Sequence, residues 1–183
     1  MRSNDGSIGR RGSRAGAKPG IGIDIPGFGH LHIQAICSDY TGTLSCEGKL
    51  IKGVSRRLRK LGELVDIHVV TSDTRQTAGA QLKRLPVRLH DKITSEAHDA
   101  FKRDYLTRLG VELRHIAVFG NGRNDRLWLA AVRDAGGLAV AVDAGEGCAV
   151  DAMTSANLFV SDIRNALDLL LDSKRIIGTL RTK

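Results

Sequence analysis

The chain has 183 residues, 42% of them hydrophobic, and a formal net charge of +8. That length suits one well-buried core rather than two, no apolar run approaches the roughly 20 residues of a membrane span, and the start lacks the apolar core of a secretory signal. Three cysteines, Cys37, Cys46 and Cys148, have no C-x-x-C pairing. They fit neither a disulfide framework nor a zinc cage, and together these features read as a cytoplasmic protein of a reducing compartment with no membrane partner.

Residues 1–20 come first in chain order and hold Arg2, Arg10, Arg11, Arg14 and Lys18 against Asp5 alone, so half of the net charge sits there. The segment is Gly-, Ser- and Arg-rich, buries nothing that could offset its ordering entropy, and reads as a disordered basic tail. Three roles stay open for it: an arm for nucleic acid or acidic surfaces, an Arg-rich organelle transit sequence, or a solvated extension. Nucleic acid is expected as a partner only through this tail.

From Gly20 the pattern turns periodic. Alternating apolar residues on either side of Pro26-Gly27 predict a hairpin running into a strand that ends at Asp39. "GVSRRLRKLGELV" repeats Val54, Leu58, Leu61 and Leu64 at helical spacing, and "VDIHVVTSD" is a short, Val/Ile-rich buried strand. A helix over 74–82, a strand at "PVRLH", a helix over "SEAHDAFKRDYLTRLG" and a strand at "HIAVFG" follow. A helix over "DRLWLAAVRDAG", a strand at "LAVAVD", a short helix near "CAVDAM", a strand at "NLFVS" and a helix over "IRNALDLLLD" complete the series. This alternation predicts an α/β fold, a doubly wound and mostly parallel sheet over 21–175, with 176–183 left as a basic C-terminal tail.

Ligands of such sheets sit at the carboxyl ends of the strands, and three motifs fall there. In "DYTGT", Asp39 ends the first strand of the series and Gly42 lets the backbone turn sharply. A carboxylate so placed can attack phosphorus and form an aspartyl phosphate. Thr71 and Ser72, followed by Asp73 and Thr74, can seat phosphoryl oxygens at a helix start. "GNGRND", Gly120 to Asp125, is a loop of oxygen ligands suited to Mg²⁺. Lys102, on the helix between the second and third motifs, can supply a point charge to a transferring phosphoryl group. Taken singly, each fits an ordinary cap, turn or solvated lysine; their order and common placement at strand ends make one site.

In this order the motifs resemble the haloacid dehalogenase superfamily, with its Asp-x-Asp-Gly-Thr, Thr/Ser, Lys and Gly-Asp-x-x-x-Asp signatures. Within it the chain looks most like small soluble relatives of the phosphorylation domain of P-type ATPases. The resemblance implies Asp39 as phosphorylated nucleophile, Thr41 as a backbone-carbonyl Mg²⁺ ligand, Lys102 as stabilising cation, and Asn121 with Asp125 on the metal side. It groups Thr43, Thr71 and Ser72 with Lys102 as phosphate-binding and gives Asn124 a loop-supporting role.

Two departures bear on chemistry. Thr41 stands where such phosphatases carry a second Asp for acid-base work, and a hydroxyl can do neither at neutral pH. Hydrolysis is therefore expected to be slow, with a persistent phosphoenzyme. Asn121 replaces an Asp, so the metal gains an amide oxygen without charge. The intervals between Asp39, Thr71 and Lys102 hold one helix and one strand each, leaving no cap domain and no nucleotide-binding insertion. Only "SCEGKLIKG" can form a small flap. The open site leaves substrate selection, among small or macromolecular phosphorylated compounds, to surfaces, partners or a homo-oligomer. Six scattered histidines lack zinc spacing, and Trp128 reads as a core residue. Two functions follow: a Mg²⁺-dependent phosphohydrolase or phosphotransferase, or a catalytically weakened phosphate or nucleotide sensor of the same fold.

Overall fold

The computed structural model describes residues 18–72, 75–91, 93 and 97–182. Most of the basic tail lies outside the described residues, but its last residues belong to the domain. Lys18 Nζ donates to the Val65 carbonyl at 2.9 Å and pairs with Asp66 at 3.0 Å, while the Gly20 amide donates to the Leu64 carbonyl at 2.9 Å. Lys18 and Gly20, expected to belong to the tail, are thus part of the folded body.

An antiparallel hairpin opens the fold: β1 (Ile21–Ile25) pairs with β2 (Gly29–Ile33), closing over Pro26–Phe28 as the alternation predicts. The chain then enters β3 (Ala35–Ser38), the strand that ends at Asp39. A two-stranded flap follows, β4 (Ser45–Cys46) and β5 (Lys49–Leu50), then α1 (Val54–Leu64), β6 (Asp66–Val70), α2 (Ala78–Leu82), β7 (Arg88–His90) and α3 (His98–Thr107). The series continues with β8 (Ile116–Gly120), α4 (Arg126–Asp134), β9 (Leu138–Val142), α5 (Val150–Thr154), β10 (Leu158–Val160), α6 (Ile163–Leu171) and α7 (Ser173–Leu180). The predicted start of the helix before β7, at Thr74, and that of α3, at Ser95, lie outside the described residues.

Six strands form one parallel sheet in the order β10-β9-β8-β3-β6-β7. Strand residues alternate between two apolar layers, as the period of two requires. Ile36, Ile67, Val69, Phe119 and Val140 face a core shared with the hairpin, α1, α6 and α7, and Ala35, Cys37, Val70 and Val118 face α3, α4 and α5. Because both faces are covered, the strands read as near-continuous apolar runs.

The C-terminal segment corrects the sequence reading. The expected tail over 176–183 begins inside helix α7, whose Ile176 is fully buried and whose N-terminus is capped by Asp172 accepting from the Lys174 amide at 3.1 Å. Its charged residues point outward while one apolar edge closes on the hairpin, where the Thr182 amide donates to the Pro26 carbonyl at 3.1 Å. Among the described residues no helix is long and apolar enough to cross a membrane.

Candidate active site

Strand β3 lies at the centre of the sheet, with β6 and β8 hydrogen-bonded on either side. Ser38 stands opposite Val69 on one neighbour and Phe119 on the other, and the Asp39 amide donates to the Phe119 carbonyl at 3.0 Å. The loops that leave these three strands therefore rise side by side, carrying Asp39, Thr71 and Asn121. Motifs distant in the sequence meet because of strand order alone.

Lys102 closes the group from α3. Its side chain is fully buried; Nζ donates to Asp125 Oδ1 at 2.7 Å and lies 3.2 Å from Asp39 Oδ2. The ammonium also sits 5.1 Å from the centre of the Trp128 ring, which forms an aromatic floor beneath it. Trp128 was legible only as a core residue; its helical spacing locates the buried face and says nothing of what rests on the ring. Burial alone would pull the Lys102 pKa down, but Asp125 and Asp39 outweigh it and hold the amine above the ordinary lysine range. Asp39 moves the other way. Burial raises it to about 6, aided by the charge of Asp125 and opposed by Lys102 and the Tyr40 amide. Asp39 is thus ionised at neutral pH but far more basic than a carboxylate in water.

The third loop is tied by its own side chains. Asp125 Oδ2 accepts from the amides of Asn121 at 3.0 Å and Gly122 at 2.8 Å, so this buried carboxylate shapes the loop with one oxygen and holds Lys102 with the other. Asn121 is clasped to the first loop: Thr43 Oγ1 donates to its Oδ1 at 2.9 Å, and its Nδ2 donates to the Gly147 carbonyl at 3.1 Å. This clasp requires a glycine at position 42, where φ is 72° and an added Cβ would come within 2.4 Å of Asn121 Nδ2. Asn124 borders a cavity of about 380 Å³ beside this loop, which His98, Asp99, Arg123 and Arg126 also line.

Thr71 is buried at the end of β6, its amide donating to the His90 carbonyl at 3.0 Å; Ser72 follows, half-buried. Asp73 and Thr74 lie outside the described residues. Thr41, half-buried, bridges to Ser45 at the base of the flap. Sequence reasoning found the flap but not its tether. The Gly48 carbonyl at its turn accepts from Thr77 Oγ1 at 2.8 Å, Gln81 Nε2 at 2.7 Å and Tyr40 Oη at 3.2 Å, and the Glu47 amide donates to the Glu146 carboxylate. A hairpin so held borders the site as a fixed wall.

Among the described residues no three His, Cys, Asp or Glu side chains converge on a metal position. The side-chain oxygens gathered here, two carboxylates from Asp39 and Asp125 and an amide from Asn121, are of the hard kind that suits a largely hydrated cation.

No family model matches the sequence, and no curated protein does either. The fold does match solved structures. A 3-deoxy-D-manno-octulosonate 8-phosphate phosphatase from Moraxella catarrhalis, in complex with magnesium, phosphate and a KDO molecule, aligns with a TM-score of 0.56 at 16% identity over 81% of this chain and 94% of that one. The cobalt-bound deoxy-D-mannose-octulosonate 8-phosphate phosphatase of Haemophilus influenzae aligns with 0.59 at 14% identity over 82% and 94%. A haloacid dehalogenase-like family hydrolase from Streptococcus pneumoniae gives 0.56 at 12% over 75% and 98%. The chain has the haloacid dehalogenase fold, an α/β Rossmannoid sheet with no large cap among the described residues.

Proposed function

We propose that the protein is a slow, Mg²⁺-dependent phosphohydrolase or phosphotransferase that works through an aspartyl phosphate on Asp39. The observation that carries this reading is the buried Lys102 ammonium, 2.7 Å from Asp125 and 3.2 Å from Asp39 at the carboxyl end of the central strand. Burying a lysine between two carboxylates is a costly arrangement for stability alone. It makes sense where an anion must form and break bonds beside a fixed cation.

An ionised Asp39 oxygen attacks the phosphorus of a phosphate ester, the bond to the leaving oxygen breaks, and the phosphoryl group becomes an acyl phosphate on Asp39. Lys102 offsets the charge gathered on the phosphoryl oxygens, with Thr71, Ser72 and Thr43 as neighbouring hydroxyl donors. Thr41 cannot protonate the leaving oxygen, so that proton comes from solvent, and no side chain at position 41 activates water for the second step. The acyl phosphate then outlives that of an enzyme with Asp there. The "DYTGT" and "GNGRND" motifs support the likeness to soluble relatives of P-type ATPases. The solved relatives include phosphatases, one with magnesium and phosphate bound, which supports the same reaction class.

Mg²⁺ would be held by Asp39, the Thr41 carbonyl, Asp125 and Asn121, and would neutralise phosphoryl charge. Asn121 Oδ1 and Asp125 Oδ1 each accept one hydrogen bond and keep one lone pair, whereas Asp125 Oδ2 already accepts two, so water and substrate must fill much of the coordination shell. A weak metal site follows.

Incubation with Mg²⁺ and a generic aryl phosphate tests this reading; hydrolysis no faster than that of Asp39→Asn would end it. The clasped Asn121 and the missing acid at position 41 favour one competing reading, a weakened phosphate or nucleotide sensor. Mg²⁺-dependent thermal stabilisation by a phosphate mimic without turnover would select it.

A further inference from the structure

A second recess lies along the edge of the sheet, on the face covered by α3. It has a volume of about 400 Å³, and its walls include His68, Arg88, His90, Phe101, Tyr105 and Arg108. That volume falls in the usual range of small-ligand pockets, about 300–1,000 Å³.

Two periodicities build it. The parallel register of β6 and the edge strand β7 sets His68 opposite Arg88 and Val70 opposite His90, so His68, Arg88 and His90 project from one face. Helix α3 adds Phe101 and Tyr105, and its C-cap residue Arg108 continues the same stripe, spaced four and three residues apart. The His68, His90 and Tyr105 rings pack against one another, His90 tilted at 58° to Tyr105, and of the three only His90 is exposed. Tyr105 Oη lies 2.7 Å from His68 Nδ1, and the His90 ring is centred 4.6 Å from Tyr105 and 6.3 Å from His68. The wall itself is uncharged near neutral pH: burial first, then the charges of Arg88 and His90, pushes His68 down to about 4, and burial lowers His90 against the opposing charge of Asp91.

Positive charge is thereby confined to the two guanidinium groups. Arg108 lies over the Phe101 ring at 5.9 Å, and Arg88 stands exposed on β7. Among the described residues neither is paired with a carboxylate, none of the lining residues is acidic, and the Asp66 carboxylate at the foot of β6 is held by Lys18. An uncharged aromatic wall beside two unpaired guanidinium forks suits a ligand with a flat ring at one end and a phosphate at the other. Lys102 leaves α3 on a different face, toward Asp39 and Asp125, so the recess is separate from the candidate active site.

We propose that this groove is a binding site for a nucleoside monophosphate, with the base stacked on the exposed His90 ring and the phosphate held between Arg88 and Arg108. The proposal stands whether or not Asp39 is phosphorylated.

Calorimetric titration of the full chain with AMP, in chelator so that no ester is turned over, tests it. AMP should bind saturably at one site per chain. Adenosine, ribose 5-phosphate and inorganic phosphate should each bind at least about tenfold more weakly. Arg88→Ala or Arg108→Ala should weaken AMP by about tenfold or more without shifting the melting temperature, since both side chains are exposed. His90→Ala, which keeps both guanidinium groups, should weaken AMP but not ribose 5-phosphate. Absence of AMP binding at millimolar concentration would overturn the proposal. So would binding that survives all three substitutions, binding that Asp39→Ala removes while they do not, or inorganic phosphate binding as tightly as AMP.

Discussion

Replacing Lys102 by Met keeps a long apolar stem over Trp128 and removes only the ammonium. It leaves Asp39, 5% exposed, and Asp125, fully buried, as like charges without their common cation. Removing one partner from a buried ionic cluster costs about 3–5 kcal/mol. For a domain of this size that is a fall of roughly 6–20 °C in Tm at pH 8. The loss should depend on pH in a defined direction. Asp39 titrates at about 6 with Lys102 present, above its ordinary 3.8, so the folded state holds that proton more tightly than the unfolded chain. The associated stability is complete at pH below the unfolded value and is lost as pH rises through the folded one. Without Lys102 the folded pKa climbs further, so the variant should recover much of its deficit between pH 8 and 5.5 by taking up a proton. Thermal melts in chelator at those two values, with Lys102→Met/Asp39→Asn as the control that removes one of the stranded charges, measure this. A single variant melting within about 2 °C of wild type at pH 8, or losing as much at pH 5.5, would refute the reasoning.

Thr41→Asp should return the missing acid-base group and speed decay of the phosphoenzyme by roughly 10²–10⁴-fold in a single-turnover chase; unchanged decay would remove Thr41 from the explanation of slow turnover. Asn121→Asp keeps an acceptor for Thr43 but turns a donor to the Gly147 carbonyl into a repelling oxygen. It should lower the Mg²⁺ concentration for half-maximal activity while costing about 1–3 kcal/mol of metal-free stability, read by metal titration and urea unfolding. Gly42→Ala, at φ 72° and in collision with Asn121, should cost about 1–3 kcal/mol by the same unfolding assay, and a neutral result would disprove the clasp. His68, held at about 4 against an ordinary 6.5, should contribute about 3 kcal/mol that is present above pH 6.5 and lost as pH falls toward 4. His68→Gln should flatten the stability profile across that window.

The β/α rhythm made the sheet legible in the sequence, because buried parallel strands must be short apolar runs and their helices must repeat at 3.6 residues. The same rhythm located Asp39, Thr71 and Asn121 at strand ends, and strand order then brought their loops together. Other features depend on contacts that no local pattern encodes. The Thr43–Asn121 clasp joins residues 78 positions apart. Trp128 was read as packing and also carries a cation above its ring. Most of helix α7 falls in the expected tail because Lys174, Arg175, Arg181 and Lys183 give the last stretch a basic character. The overlooked signal was Asp172, which can cap a helix, followed by Ile176, Ile177 and Leu180 on one stripe. The flap was legible as a hairpin, yet its anchoring through the Gly48 carbonyl required Thr77 and Gln81 from α2 and the turn before it.

The central claim is a covalent phosphoryl group on Asp39. Rapid acid quenching after mixing with Mg²⁺ and acetyl phosphate, followed by mass spectrometry of the peptide containing "CSDYTGTLS", tests it most directly. The account predicts one added phosphoryl group on Asp39, labile to hydroxylamine, accumulating in wild type and absent from Asp39→Asn. Aryl phosphate hydrolysis with no phosphopeptide at any quench time, or a phosphopeptide that persists in Asp39→Asn, would contradict it.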